Sequence, residues 1–422
     1  MSCGILSIYF WALYQDQVII DMEISMAARS RKVTGQDPDP ELFEGNTGEK
    51  STLLFETTGK EKVYRYKDSI LLSLPEGRKT LTTSWLNGGY REDLRVIFNH
   101  RVPKSKHAPK DLDGGSIPAY LSIIAKKLNA DPDTASGLLT AANMDNVSIV
   151  SKSFRGVEVT AVMTAGIEVN GGRVGDPASY YQEDGLHQFI QGTINTILLI
   201  GANLPCYTMA RAVITATEAK TAALQQLIAP SRYSTGIATG SGTDMIAVIA
   251  DGTSPLLLTD AGQHSKLGEL IGNVIIECTL KALEMQSDLS PLSQRDMLVR
   301  LERFKIDETS YWKAASHMDG DNRKAAFFKK LREVSKNPVL VGATGSILHI
   351  EDEISWGLVP EAAGRRVALS IMKSLPGMLG LGVSIPFDEL TDEKDTIIEN
   401  WVRVTAWLAK NCGQESLCNF RP

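Results

Sequence analysis

A lysine stands inside the apolar stripe of a long helix, and few features constrain this chain more. From Pro205 to Leu227, apolar residues recur at Met209, Ala212, Val213, Ala216, Ala223, Leu224 and Leu227, which is helical spacing. Pro205 suits the first turn of such a helix. At about 100° per residue, Lys220 projects close to the centre of the stripe and Glu218 to the opposite side. That opposite side carries Thr215, Ala219, Ala222 and Gln226, so the helix is expected to be covered on both faces. A covered ammonium must be paired or lose its proton. Lys220 is therefore either half of a structural ion pair, a long stem snorkelling to the surface, or a site residue.

The segments around this helix set the fold class. "STLLFETT", "EKVYRYKDSILLSL" and "KTLTTSW" alternate with period two between turn residues, as antiparallel strands do. "IPAYLSIIAKKLNA" and "DPDTASGLLTAAN" read as two helices. "VSIVSKSFRGVEVTAVMTAGIEV" reads as a hairpin turning at Arg155-Gly156, and "GTINTILLI" as a strand that feeds the opening helix. "YSTGIATGSGTDMIAVIAD" reads as two strands around a glycine-rich turn, and a second long helix runs from about Ser265 to Met285. Strands in pairs followed by a helix, twice over, point to α+β, with antiparallel sheets packed against long helices. From Ser290 the texture becomes mainly helical, with charged faces. The division expected is an α+β domain over residues 1–289 and a mainly helical region over 290–422.

Composition narrows the function. A net charge of −6 argues against nucleic acid as the main partner. Five cysteines without CxxC or Cys/His spacing suggest neither zinc nor a disulfide scaffold, so a reducing, cytoplasmic setting is expected. "GILSIYFWALY" near the N-terminus is too short to span a bilayer and lacks the basic flank and cleavage site of a signal peptide. No stable membrane span is expected.

Polar residues cluster in "TTSWLNGGYRED", "FNH", "GLLTAANM" and "TAGIEVNGGRVGDPASY". They do so again in "GTINTILLI", "TATEAKTAAL", "IATGSGTD" and "GQHSKLGELIG". The glycines of "TGSGTD" permit a tight turn and close backbone approach, but match neither the P-loop nor the dinucleotide fingerprint. Together, in this order, the blocks resemble the adenosylcobinamide amidohydrolase family. The resemblance covers roughly residues 81–282 and is strongest over 137–272. It departs locally at Gly171-Gly172, where a bulkier pair is expected before Arg173. It implies a hydrolase that cleaves the amide joining the aminopropanol arm to the corrin ring, giving adenosylcobyric acid for salvage. The implied partner is a corrinoid, either adenosylcobinamide or a complete corrinoid of pseudo-cobalamin type. Cobalt would arrive within that substrate.

Amide hydrolysis needs an activated nucleophile, a stabilised oxyanion and a proton for the leaving amine. No GxSxG elbow is present, so water activated by a base is preferred to Thr217, Thr243 or Ser265 as nucleophile. His264, at the expected start of the second long helix, is the leading base candidate. Asp244 is a candidate to orient it, as a carboxylate orients a catalytic imidazole. Glu218 and Lys220 complete the catalytic candidates, Lys220 as an oxyanion donor or a base. Trp85, Asn87, Tyr90, Asn99, His100, Asn143, Arg173, Asp176, Asn195, Thr217 and Thr243 are substrate-binding candidates. No metal ligand set is assigned, although a divalent metal on His264, His100, Asp244 and Glu218 is a rival mechanism. A corrinoid-binding protein without hydrolysis, or an amidase for another bulky substrate, is the alternative function.

Overall fold

The computed structural model describes residues 51–103, 105–106, 108–178, 192–382 and 384–411. The apolar run near the N-terminus and the polar loop after it lie outside them. Four short strands come first: β1 (Thr52–Glu56), β2 (Lys62–Arg65), β3 (Ser69–Ser73) and β4 (Arg78–Thr82). They are followed by β5 (Gly89–Arg91), β6 (Val96–Arg101), helix α1 (Ile117–Lys127) and β7 (Ala135–Thr140). The hairpin β8 (Ser148–Phe154) and β9 (Val157–Gly166) turns at Arg155 and Gly156, whose φ angles are 46° and 85°. Two positive φ values in a two-residue loop match the strand twist.

The expected helix over "DPDTASGLLTAAN" is instead strand β7, buried at all six positions and parallel to β6. A strand covered on both faces loses the alternation that would betray it. Gly137 within it is required by packing, since a Cβ there would sit 2.4 Å from the Phe98 ring. The expectation of antiparallel sheets is corrected at two places, because β6 with β7 and β11 (Thr193–Ile200) with β13 (Met245–Asp251) are parallel pairs. The sheets are therefore mixed within an α+β fold.

One sheet has five strands in the order β1-β2-β3-β6-β7, and the other six in the order β5-β4-β13-β11-β9-β8. Their facing sides share a core that includes Ile70, Leu72, Ile97, Leu138, Val162, Ile197, Leu199 and Ile249. Helices α2 (Cys206–Gln226) and α3 (Lys266–Ser287) cover the other side of the six-stranded sheet. Period two along β11 sorts its residues: Ile194, Leu198 and Ile200 pack in the helix-side core, whereas Ile197 and Leu199 point between the sheets.

Asn195 shares that inward side. Its Nδ2 donates to Asn99 Oδ1 and to the Leu139 carbonyl, both at 2.8 Å, while Asn99 Nδ2 donates to Thr164 Oγ1 at 2.8 Å. Asn99 and Asn195 thus tie the two sheets together through buried amides; neither faces a substrate cavity.

His100 is also a core residue. Ser69 Oγ lies 2.8 Å from its Nδ1 and the Tyr120 hydroxyl 3.0 Å from its Nε2. Burial, only partly offset by the charge of Asp68, pushes its pKa from the ordinary value near 6.5 down to about 4. Between those values the unfolded chain binds the proton that the folded chain refuses. This contribution to stability is therefore complete above pH 6.5 and is lost as pH falls toward 4, by up to about 3 kcal/mol. Urea midpoints compared at pH 7 and pH 4.5 should fall less in His100→Gln than in the parent; equal falls would contradict this account.

Beyond residue 290 the structure is helical. Helices α4 (Met297–Leu301), α5 (Glu308–Ala315), α6 (Lys324–Val334) and α7 (Pro338–Ser355) are followed by α8 (Glu361–Met378), α9 (Phe387–Leu390) and α10 (Ile397–Asn411). They share a core of their own around Tyr311, Phe327, Leu331, Ile347, Met372 and Trp401. Helix α7 has the weakest local signal of these. Its "GATGS" stretch breaks the apolar period, and helix-side packing at Leu340, Val341, Ala343 and Ile347 overrides weak local propensity.

Candidate active site

The parallel strands β11 and β13 are the central pair of the six-stranded sheet and begin at the same end of it. Helix α2 connects them, leaving the far end of β11 and running back, so its C-terminal half returns to the end where β13 begins. This brings Lys220 to the glycine-rich turn before β13. Lys220 Nζ donates to Asp244 Oδ2 at 2.5 Å, and the two side chains are 12% and 16% exposed. The ion pair that the apolar stripe demanded is thus present, and it borders a cavity rather than the closed core.

Asp244 is held from several sides. Its Oδ1 accepts the Ile194 N–H at 2.9 Å and the Ser241 hydroxyl at 2.7 Å, and its Oδ2 also accepts the Ser241 N–H at 3.0 Å. Gly240 is needed for this approach, since a Cβ there would lie 2.4 Å from Asp244 Oδ2 and 2.7 Å from Lys220 Nζ. The two-residue ribbon of β10 (Gly171–Gly172) and β12 (Gly240–Ser241) forms the adjoining backbone. Gly171, where a bulkier residue was expected, is itself tight: a Cβ would meet the Ile167 carbonyl at 3.0 Å.

The cavity is about 760 Å³, within the size range of small-molecule sites. Arg173, Asp176, Thr217, Lys220, Thr243 and Asp244 from the sequence reading line it, together with Asn170, Val174, Thr221, Tyr233, Thr239 and Ser241, which that reading did not single out. Ser241 was legible only as part of "TGSGTD", and Tyr233 only as the start of "YSTG".

Most lining hydroxyls are engaged with backbone. Thr217 Oγ1 donates to the Val213 carbonyl at 2.8 Å, Thr221 Oγ1 is 3.0 Å from the Thr217 and Thr239 carbonyls, and Thr243 Oγ1 donates to the Gly192 carbonyl at 2.6 Å. Ser241 differs, because its hydroxyl donates to a carboxylate. Asp176 Oδ2 accepts the Arg173 N–H at 2.8 Å and the Ser231 hydroxyl at 2.6 Å. Burial alone would raise its pKa, but hydrogen bonds from Ser231 and Ser234 and the charge of Arg173 hold it below the usual carboxylate range. It staples the loop and stays charged.

The other candidates lie elsewhere. His264 is exposed just before α3 and is not among the lining residues; the oxygens of Asp244 bond to Lys220, Ser241 and Ile194 instead of orienting it. Glu218 is exposed, and its Oε2 accepts Gln263 Nε2 at 2.5 Å. Asn87 Nδ2 donates to the Pro132 and Ala135 carbonyls, both at 2.7 Å, so it buttresses a loop. Asn143 caps a short 3-10 turn through Asp145 N–H. Trp85 and Tyr90 are exposed outside the cavity, with the Tyr90 hydroxyl donating to Glu92 Oε1 at 2.5 Å. Burial and Glu92 together push that hydroxyl up to about 12. The rival metal set also disperses, since His100 is in the core and Asp244 in the cavity. Among the described residues no three His, Cys, Asp or Glu side chains are grouped to hold an ion.

Known proteins resemble this chain in sequence over the segment that carries the cavity. The model of the adenosylcobinamide amidohydrolase family matches residues 54–291. An uncharacterized protein of Methanocaldococcus jannaschii is 32% identical over 237 residues, covering 52% of this chain and 88% of its own length. The adenosylcobinamide amidohydrolase of Methanosarcina mazei is 29% identical over 234 residues, covering 53% of this chain and 99% of its own. Among solved structures, a Pyrococcus horikoshii protein aligns with 60% of this chain and 89% of its own at 11% identity. Its TM-score of 0.28 carries no argument.

Proposed function

Since the chain belongs to the adenosylcobinamide amidohydrolase family, we propose that it hydrolyses the amide between the corrin ring and the aminopropanol arm of adenosylcobinamide. The products are adenosylcobyric acid and 1-amino-2-propanol. The observation that carries this reading is that every lining residue of the Lys220–Asp244 cavity, from Asn170 to Asp244, falls inside the matched segment.

The residues support a water-based mechanism. Lys220 Nζ spends one proton on Asp244 and has two others for the carbonyl oxygen as it becomes an oxyanion. The attacking water sits against Ser241 Oγ, whose own proton is directed at Asp244 Oδ1. As the C–O bond forms, Ser241 hands its proton to Asp244 and takes one from the water. As the C–N bond breaks, Lys220 gives a proton to the leaving amine. A neutral lysine and a protonated aspartate remain; solvent takes the proton from Asp244 Oδ1 and returns one to Lys220 Nζ, which restores the ion pair. Arg173 and the apolar rim at Val174 and Pro177 serve the ring and its amide arms.

In the same reading the enzyme works in the cytoplasm. The free thiols of Cys206 and Cys278 agree with a reducing compartment. Incubation of the purified protein with adenosylcobinamide, followed by chromatography and mass spectrometry, tests the proposal. Release of adenosylcobyric acid is expected. Tight binding with no release would turn the protein into a corrinoid-binding module, and neither binding nor release would remove corrinoids from its function.

A further inference from the structure

The helical region beyond the family-matched segment reaches the cavity. Arg173 lines that cavity, and its guanidinium carbon lies 5.9 Å from the centroid of the Trp356 ring. Trp356 caps the C-terminus of α7, well past residue 291, where the family match ends. A second contact is made where Arg232 Nη1 pairs with Glu302 Oε1 at 2.6 Å, next in sequence to the lining residue Tyr233. The added helices therefore hold the rim at two points, next to two lining residues.

Exposed apolar side chains stand on and beside the residues that meet at Arg173. Trp356 is 47% exposed, Leu358 two residues on is 67% exposed, and Val174 beside Arg173 is 85% exposed. A half-exposed indole stacked with a cation is a flat apolar face with a charged edge. Such a surface suits a large planar ring that carries polar arms. The cavity of about 760 Å³ takes the scissile arm and the ring edge, so most of the macrocycle must rest outside it, against whatever forms the rim.

We infer that Trp356 is a specificity-determining residue that stacks on the face of the substrate's macrocycle, so that the C-terminal helical region completes a binding site begun by the family segment. The inference rests on the function proposed above. It assigns to residues 290–422 a recognition role that the matched segment does not contain.

Adenosylcobinamide is the probe, with steady-state hydrolysis and equilibrium binding measured on the full chain. Trp356→Ala should raise KM and Kd about tenfold, which is ~1.4 kcal/mol, and leave kcat within about twofold, because the ring is bound alike in ground and transition states. Trp356→Phe should recover most of the affinity, whereas Trp356→Leu, which keeps bulk without a flat face, should not. Unchanged Kd and KM in Trp356→Ala, with normal turnover by the parent, would overturn the inference and leave the proposed function standing. Recovery by Leu as complete as by Phe would also overturn it, reducing Trp356 to packing for Arg173. A parent that binds without turnover still tests the inference through Kd. A parent that does not bind the corrinoid overturns both.

Discussion

Lys220→Met is expected to lower kcat on adenosylcobinamide by about 10²–10³-fold, the usual loss when an oxyanion donor is removed. Methionine keeps the length and apolar stem that fill the α2 stripe and deletes only the charge. The variant should still fold. Asp244 retains the Ile194 N–H, the Ser241 N–H and the Ser241 hydroxyl, and both partners of the pair keep some solvent contact. The stability cost should therefore be about 1–3 kcal/mol, below the 3–5 kcal/mol typical of a fully buried pair broken on one side. Steady-state kinetics beside thermal melting separates the two effects. If kcat stays within tenfold of the parent while Tm drops, Lys220 is a structural tie and the chemistry lies elsewhere. Lys220→Arg should not rescue, because a planar guanidinium cannot place a single ammonium at the Asp244 contact or yield a proton to the leaving amine.

Gly240→Ala tests the same pair without touching either charge. A Cβ 2.4 Å from Asp244 Oδ2 and 2.7 Å from Lys220 Nζ forces one of them to move. The lysine tip is flexible, but Asp244 is anchored by backbone donors, so the ion pair should open from the lysine side. A displacement near 1 Å can cost about 10²-fold in rate, and overpacking costs roughly 1–3 kcal/mol in stability. Gly242→Ala is the control, since a Cβ there meets nothing within 4 Å. Kinetics of the two variants should differ by about two orders of magnitude. Equal activities would mean that the pair's geometry does not set the rate.

The sequence made Lys220 conspicuous because a charge on an apolar stripe is a local contradiction, visible without any partner. Its partner Asp244 was read as the carboxylate that would orient His264, and its contact with Lys220 depends on α2 running back along β11, a long-range fact. His264 shows the same limit, since it does not line the Lys220–Asp244 cavity. A histidine before a helix among small polar residues has the local look of a base, yet nothing local says which end of the fold that helix start occupies. Asn99, His100 and Asn195 were read as substrate-binding candidates, whereas packing the two sheets face to face supplies partners for Asn99 and Asn195, and the neighbouring strand β3 and helix α1 supply those of His100. Strand β7 was hidden by burial on both faces. The hairpin at Arg155-Gly156, the strand β11 and the helices α2 and α3 followed from period and turn chemistry alone, because there the local and global demands agree.

Locating cobalt in crystals of the protein soaked with adenosylcobinamide tests the central claim most directly, because the metal's anomalous scattering marks the corrin ring without relying on the fit of a ligand. The account predicts a single strong peak outside the Lys220–Asp244 cavity, on the side of Arg173 and Trp356, with the aminopropanol amide carbonyl within hydrogen-bond reach of Lys220 Nζ. A peak beside His264, beside Trp85 and Tyr90, or on any face from which the amide cannot reach Lys220 would contradict it.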